Sequence, residues 1–179
     1  MTQSLAPVLV IDLQTGMFDG VHEPPIRDAE TLVAKARAVT VWARGAGHPV
    51  AFVRHEGPGG DPLARGQPGW PVWPALGQAE GEPTFDKSVG DAFSNPQLGA
   101  WIEAQGADEV VLLGAQTEHC VAATLKGALA AGLKVTVVAD AHGTWDYGGE
   151  TAPQIIARHN GAFAQAGARV VTTAVLTGG

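Results

Sequence analysis

The sequence predicts a three-layer α/β/α sandwich built on a Rossmann-like, mostly parallel sheet. Three observations predict it. Five short runs are almost continuously apolar, as strands covered on both faces must be. The stretches between them carry apolar residues at helical spacing, and glycine repeatedly closes those stretches just before the next apolar run. Strand alternating with helix along a whole chain is the pattern of a parallel sheet with crossover helices on its two faces.

In chain order, Val8–Leu13 reads as the first strand, with Asp12 following four apolar residues where the chain leaves the sheet. Asp28–Gly47 reads as a crossover helix, because Leu32, Val33, Ala36, Val39, Thr40 and Ala43 keep the helical repeat. Its acids Asp28 and Glu30 stand early, and Gly45 and Gly47 stand at its close. Val50–Arg54 is the second strand. Residues 56–84 hold seven glycines and six prolines and keep neither a helical nor a strand period, so they read as a long loop. Loops of that length inside a domain tend to be binding loops, and this one also carries Trp70 and Trp73, either as buried pins or as ligand contacts. Pro96–Gln105 is a helix, Val110–Gly114 a strand, Glu118–Ala131 a helix, Val135–Ala139 a strand, Ala152–Ala166 a helix and Arg169–Thr173 the last strand. A length of 179 residues with no repeat and no linker fits one domain over 1–179, large enough to bury a core without disulfides or structural metal.

The composition narrows the partners. A net charge of −7 with no run of Lys or Arg disfavours nucleic acid and anionic membrane, leaving a small molecule as the expected ligand. Met1–Pro7 lacks the basic start and apolar stretch of a signal peptide, and no apolar segment approaches the roughly 18 residues of a membrane span. A cytoplasmic location is expected. The single cysteine rules out an intramolecular disulfide, which suits a reducing compartment and leaves its thiol free.

That cysteine, Cys120, lies in Gly114-Ala115-Gln116-Thr117-Glu118-His119-Cys120-Val121, where an apolar strand gives way to a helix. A thiol in a first helical turn faces unpaired N–H groups, which favours the thiolate and predicts a lowered pKa. A lone cysteine is more often an inert apolar residue. In a doubly wound sheet, ligands bind beyond the carboxyl ends of neighbouring strands, which would set Asp12 and Cys120 facing one another. Lys87, in Phe85-Asp86-Lys87-Ser88-Val89-Gly90-Asp91-Ala92-Phe93, is the third candidate, although most lysines are solvated surface groups.

With these residues in this order the chain resembles the isochorismatase-like cysteine hydrolases. The matching segments are Val10-Ile11-Asp12-Leu13-Gln14, Lys87-Ser88-Val89-Gly90-Asp91-Ala92-Phe93 and Gly114 to Val121, continuing through Ala128, Gly132 and Val135 to Ala141. That family includes nicotinamidases, N-carbamoylsarcosine amidases, ureidoacrylate amidohydrolases and isochorismatase itself. The resemblance implies a hydrolase of a small amide, carbamoyl or ureido C–N bond. In it Cys120 attacks the carbonyl to form a thioester, Asp12 serves as base and then acid, and Lys87 stabilises the charges. It further implies an oxyanion hole on the backbone N–H groups of Gln116 and Cys120, reached through a cis peptide between Ala115 and Gln116.

By the same resemblance Phe18 would pack on the substrate. His55, at the end of the second strand, could bond substrate or only cap the strand. His119 would face the pocket, a subunit neighbour or solvent, and Trp70 would contact the ligand from the long loop. Asp140 and His142 end another strand, where Asp140 would order a loop. Many nicotinamidases use an Asp-x-His pair for a metal; here the corresponding place reads Arg54-His55-Glu56, with Asp61 later, so no metal and no cofactor are expected. The resemblance also implies a homo-oligomer, dimer or tetramer. Two other functions stay open: vinyl-ether hydrolysis with Asp12 as proton donor, and a redox-sensing or binding protein whose only reactive feature is the thiol.

Overall fold

The structure, a computed structural model, describes residues 5–179. Met1–Ser4, part of the segment read above as lacking a leader, lie outside the described residues. Six parallel strands form one sheet: β1 Val8–Ile11, β2 Val50–His55, β3 Thr84–Lys87, β4 Glu109–Ala115, β5 Lys134–Gly143 and β6 Arg169–Val171, in the spatial order β3-β2-β1-β4-β5-β6. Five helices cover it: α1 Ala29–Ala46, α2 Pro96–Ala104, α3 Ala122–Ala130, α4 Ala152–Gln165 and α5 Thr173–Thr177.

The apolar runs become strands because the sheet is buried on both faces. In β1, Val8 and Val10 join one core cluster with Leu32, Ala36, Val39 and Ala43 of α1, while Leu9 and Ile11 join a second with Leu98 and Ile102 of α2, Leu125 of α3 and Phe163 of α4. Alternate side chains thus feed two separate cores, the period of a strand serving both outer layers. Asn95 caps α2 by accepting from the Gln97 N–H, and α4 opens on a capping box between Thr151 and Gln154.

Two expectations are corrected. Thr84 is not the last loop residue but the first of β3, an edge strand absent from the five expected. It escaped notice because only four residues long it alternates half-buried and buried positions, two of them charged. Thr173 does not extend the last strand; the strand stops at Val171, and Thr172 caps α5 by accepting from the Val175 N–H.

The sheet also sets the spacing of the site. β1 pairs with β2 on one side and β4 on the other, with Ile11 opposite both Val53 and Gly114. Gly114 has φ 131°, and a Cβ there would strike the Ile11 backbone, so only glycine lets the two strand ends close up.

Candidate active site

Three strand ends supply the centre. Asp12 directly follows β1 in a left-handed conformation, φ 50°, which Asp tolerates better than most residues, and its N–H donates to the Val53 carbonyl of β2. Lys87 ends β3 opposite His55 of β2. Its Nζ lies 2.7 Å from Asp12 Oδ2, with both side chains fully buried, and 3.4 Å from His55 Nδ1. The other Asp12 oxygen, Oδ1, is buried without a hydrogen-bond partner. A carboxylate oxygen of Asp12, a ring nitrogen of His55 and the Cys120 sulfur all lie within 4.8 Å of one another.

Cys120 is delivered by a wide helical turn. The Ala115–Gln116 peptide is cis, and the following residues Thr117–Val121 form a π-type turn before α3. The N–H groups of His119 and Val121 both donate to the Gln116 carbonyl, at 3.2 and 3.1 Å. The Gln116 N–H itself donates to no group among the described residues. Burial pushes His142 down to about 4, so the ring is neutral near pH 7. The Asn160 Nδ2 group donates to the Ala139 carbonyl at 3.1 Å, leaving Oδ1 to accept from His142 Nε2 at 2.9 Å. His142 Nδ1 then accepts from the Thr117 hydroxyl at 2.9 Å, tying the first residue of the turn to β5.

The electrostatics correct one expectation. The Cys120 thiol is not acidified; burial, and next the Asp12 carboxylate, push it up to about 12 against the opposing pull of Lys87. The helix-end argument fails because the thiol is largely removed from water and stands beside an anion, both of which penalise a thiolate. Burial also raises the Asp12 pKa, although Lys87 works against it. The resting centre is therefore a neutral thiol beside a carboxylate–ammonium pair, with a carboxylate made more basic than usual. His55 is pushed down by burial and then by Lys87, which leaves a neutral ring against the ammonium. Asp12, His55 and Cys120 are the one group of three potential metal ligands among the described residues. The Lys87 ammonium already lies against both Asp12 and His55, so a resident cation would have to compete with a fixed one.

A cavity of about 490 Å³ opens above this centre, lined by Asp12, Gln116, His119, Cys120 and His55. The structure brings these five expected residues together, and it leaves two others out. Phe18 is buried and stacked on Trp73, ring centroids 5.4 Å apart, facing a different groove. Its ring belongs to the core beneath α1 and does not reach the cavity. Trp70 does not line the cavity either. Its ring lies under the Arg54 guanidinium at 3.8 Å and beside that of Arg65 at 4.9 Å, two cations also held by Asp86. It is a pin for the long loop, the other of the two roles its position allowed. Asp140 accepts from the Thr173 N–H and hydroxyl, ordering the start of α5.

Sequence reasoning missed several residues of this site. Gln14, fully buried, donates to the carbonyls of His55 and Trp70 at 2.9 and 2.8 Å and accepts from the His55 N–H at 2.8 Å, clamping the end of β2 and the long loop to the first strand's exit. A glutamine two residues beyond a strand-ending acid was the available signal. Trp145, Glu23 and Leu63 also line the cavity, and nothing local to them announces it. Gly16 and Gly69 pack backbone to backbone there: a Cβ on Gly69 would press on the Pro62 carbonyl and the Gly16 Cα.

Comparison with known proteins bears on the whole chain. The family model described as the isochorismatase domain matches residues 7–175. A streptothricin hydrolase of Streptomyces noursei is 33% identical over 139 residues, 78% of this chain and 50% of that protein, so the match spans about half of the relative's length. A solved isochorismatase from Pseudomonas putida KT2440 superposes with a TM-score of 0.87 at 27% identity, covering 96% of this chain and 90% of the other. N-carbamoylsarcosine amidase from Thermoplasma acidophilum shares the fold with a TM-score of 0.77 at 24% identity, covering 94% and 96% of the two chains.

Proposed function

This chain belongs to the isochorismatase family of hydrolases, and on that premise we propose that it cleaves a small amide, carbamoyl or ureido C–N bond through a thioester on Cys120. The observation that carries the reading is a carboxylate locked to a buried ammonium at 2.7 Å, with its second oxygen unpartnered and the only thiol within 4.8 Å. The similarity to streptothricin hydrolase and N-carbamoylsarcosine amidase supports C–N bond chemistry.

In the proposed reaction Asp12 takes the thiol proton as sulfur attacks the carbonyl carbon, so the negative charge passes from carboxylate to sulfur and on to the carbonyl oxygen. Lys87 compensates that charge wherever it stands, which is why one buried ammonium serves both groups. The oxyanion is received by the N–H groups of Gln116 and Cys120, and the unengaged Gln116 N–H supports that assignment. Collapse expels the amine, which takes the proton from Asp12 and leaves the thioester. Water, deprotonated by Asp12, then attacks the thioester, releasing the acid and restoring the thiol.

The raised thiol pKa fits a nucleophile that ionises only as it attacks, and it disfavours the redox-sensor reading, which needs a standing thiolate. The test is an ammonia-release screen over primary amides, carbamoyl amines and ureides, with Cys120→Ala as control and mass spectrometry for an acyl adduct on Cys120. Turnover that survives Cys120→Ala would remove the thioester and favour vinyl-ether or other Asp12 chemistry.

A further inference from the structure

The charge around the cavity says more about the substrate. Glu23 and Asp61 line it, with His22, His55 and His119, whereas no arginine or lysine does; Lys87, the one cation beneath it, is fully buried and spent on Asp12. The nearby arginines of β2 and the long loop turn elsewhere: Arg54 pairs with Asp86 at 2.8 Å, and Arg65 pairs with Glu56 at 2.7 Å. Neither Glu23 nor Asp61 has an ion-pair partner among the described residues.

The Asp61 carboxylate is held in place, and the exposed Glu23 stands on a tethered stretch of backbone. Asp61 Oδ1 accepts from the Leu63 N–H at 2.7 Å, and Gly57 packs against the carboxyl group where any side chain would collide with it. Glu23 sits in a segment tied across the cavity mouth by Trp145, whose indole N–H donates to the Pro24 carbonyl at 2.8 Å, and by the Ile26 N–H, which donates to the Met17 carbonyl. Trp145 itself lines the cavity. At its floor is the fully buried Asp12, whose Oδ1 has no partner and which borders the cavity.

We infer that the substrate carries a cationic group, an ammonium or guanidinium distal to the scissile bond, which Glu23 and Asp61 receive across the cavity from Cys120. Two unpaired carboxylates in a cleft with an apolar wall focus a negative field that raises the local concentration of cations and repels carboxylates. The indole of Trp145 suits the same ligand, since a ring face attracts cations. An anionic substrate such as an isochorismate-like acid would meet two carboxylates with no free cation to answer it. The inference rests on the amidase reading for its chemistry, but its charge selection is measurable without turnover.

Cys120, the only thiol, permits that measurement with methanethiosulfonate reagents: the trimethylammonium-ethyl and sulfonato-ethyl forms, of similar reach and opposite charge, and the smaller neutral methyl form as a reference. Rates of Cys120 modification, read by intact mass and divided by each reagent's rate with a small free thiol, are expected to favour the cation over the anion by about tenfold or more at low salt, shrinking as salt screens the field. In Glu23→Gln/Asp61→Asn, which keeps the Asp61 acceptor for Leu63, the preference should fall to within about twofold. A normalised anion rate equal to or above the cation rate overturns the inference, as does a cation preference unchanged in the double variant. A parallel ammonia assay on 5-aminopentanamide, hexanamide and the monoamide of glutaric acid separates the two readings. No thioester and no ammonia from any C–N substrate would sink the amidase reading alone, whatever the reagent order.

Discussion

Two regions of this molecule meet at one cavity and are built on opposite principles. The reacting groups hang from or just beyond the ends of β1, β3 and β4, regular elements whose spacing is set by backbone hydrogen bonds; Asp12 and Lys87 are shut from solvent, and Cys120 is half-buried at the cavity. The facing wall comes from irregular chain, residues 20–25 and 57–63, and presents half-buried or exposed side chains. The difference separates what must be accurate from what must be adaptable. Attack and proton transfer depend on fractions of an ångström, so they are placed where the chain has least freedom. Recognition depends on charge and shape, and it is placed where substitution is tolerated.

That contrast can be broken from its rigid side first. Cys120→Ala should reduce C–N hydrolysis by about 10⁴-fold or more with circular dichroism unchanged, since nothing else in the cavity can form the acyl intermediate. Next in size is the reactivity of the thiol. With its pKa pushed up to about 12, iodoacetamide alkylation of the free protein should rise about tenfold per pH unit from pH 7 to 10 with no plateau. A plateau near neutral pH would mean a standing thiolate and a different resting state.

Lys87→Met should cost about 3–5 kcal/mol in urea denaturation, because it strands the Asp12 carboxylate in a dry site. Asp12→Asn in the same chain should restore part of that loss, and a single variant as stable as the parent would show that the centre is not locked. A smaller effect is expected from His142. Its folded pKa, about 4, lies below the ordinary 6.5, so the unfolded chain binds the extra proton, and stability falls as pH drops from about 6.5 to 4. The loss should total roughly 3 kcal/mol by the linkage of pKa to stability, and His142→Gln should flatten this acid limb. The smallest effect probes the adaptable side: Trp70→Leu should cost about 1 kcal/mol of stability from the lost guanidinium stacking. It should change KM more than kcat, because it loosens the loop wall and leaves the strand ends alone.

The same division governs how much of the protein was legible in its sequence. Asp12 and Cys120 could be placed because each follows an unbroken apolar run, and such runs become central strands almost regardless of context. Lys87 was visible by its motif, but its burial was not, because it depends on β3 pairing at the sheet edge, a strand too short to show a period. Phe18 and Trp70 were misplaced for a related reason. Aromatic residues in irregular chain satisfy a core or a ligand equally well, and only the packing of Trp73 on one and Arg54 on the other decides. Glu23 and Trp145 were invisible as a pair, since 121 residues separate Trp145 from the carbonyl it holds at Pro24.

Gly114 has a further consequence. Because it stands opposite Ile11 with no side chain between, the gap from base to nucleophile is gauged by the interval between two adjacent parallel strands, about 4.8 Å in any sheet. That ruler is made of main chain, and only the Thr117–His142–Asn160 contacts that anchor the turn bearing Cys120 add side chains to it. Mutational drift can therefore redraw the cavity wall for a new substrate without recalibrating the reaction, so long as position 114 stays bare.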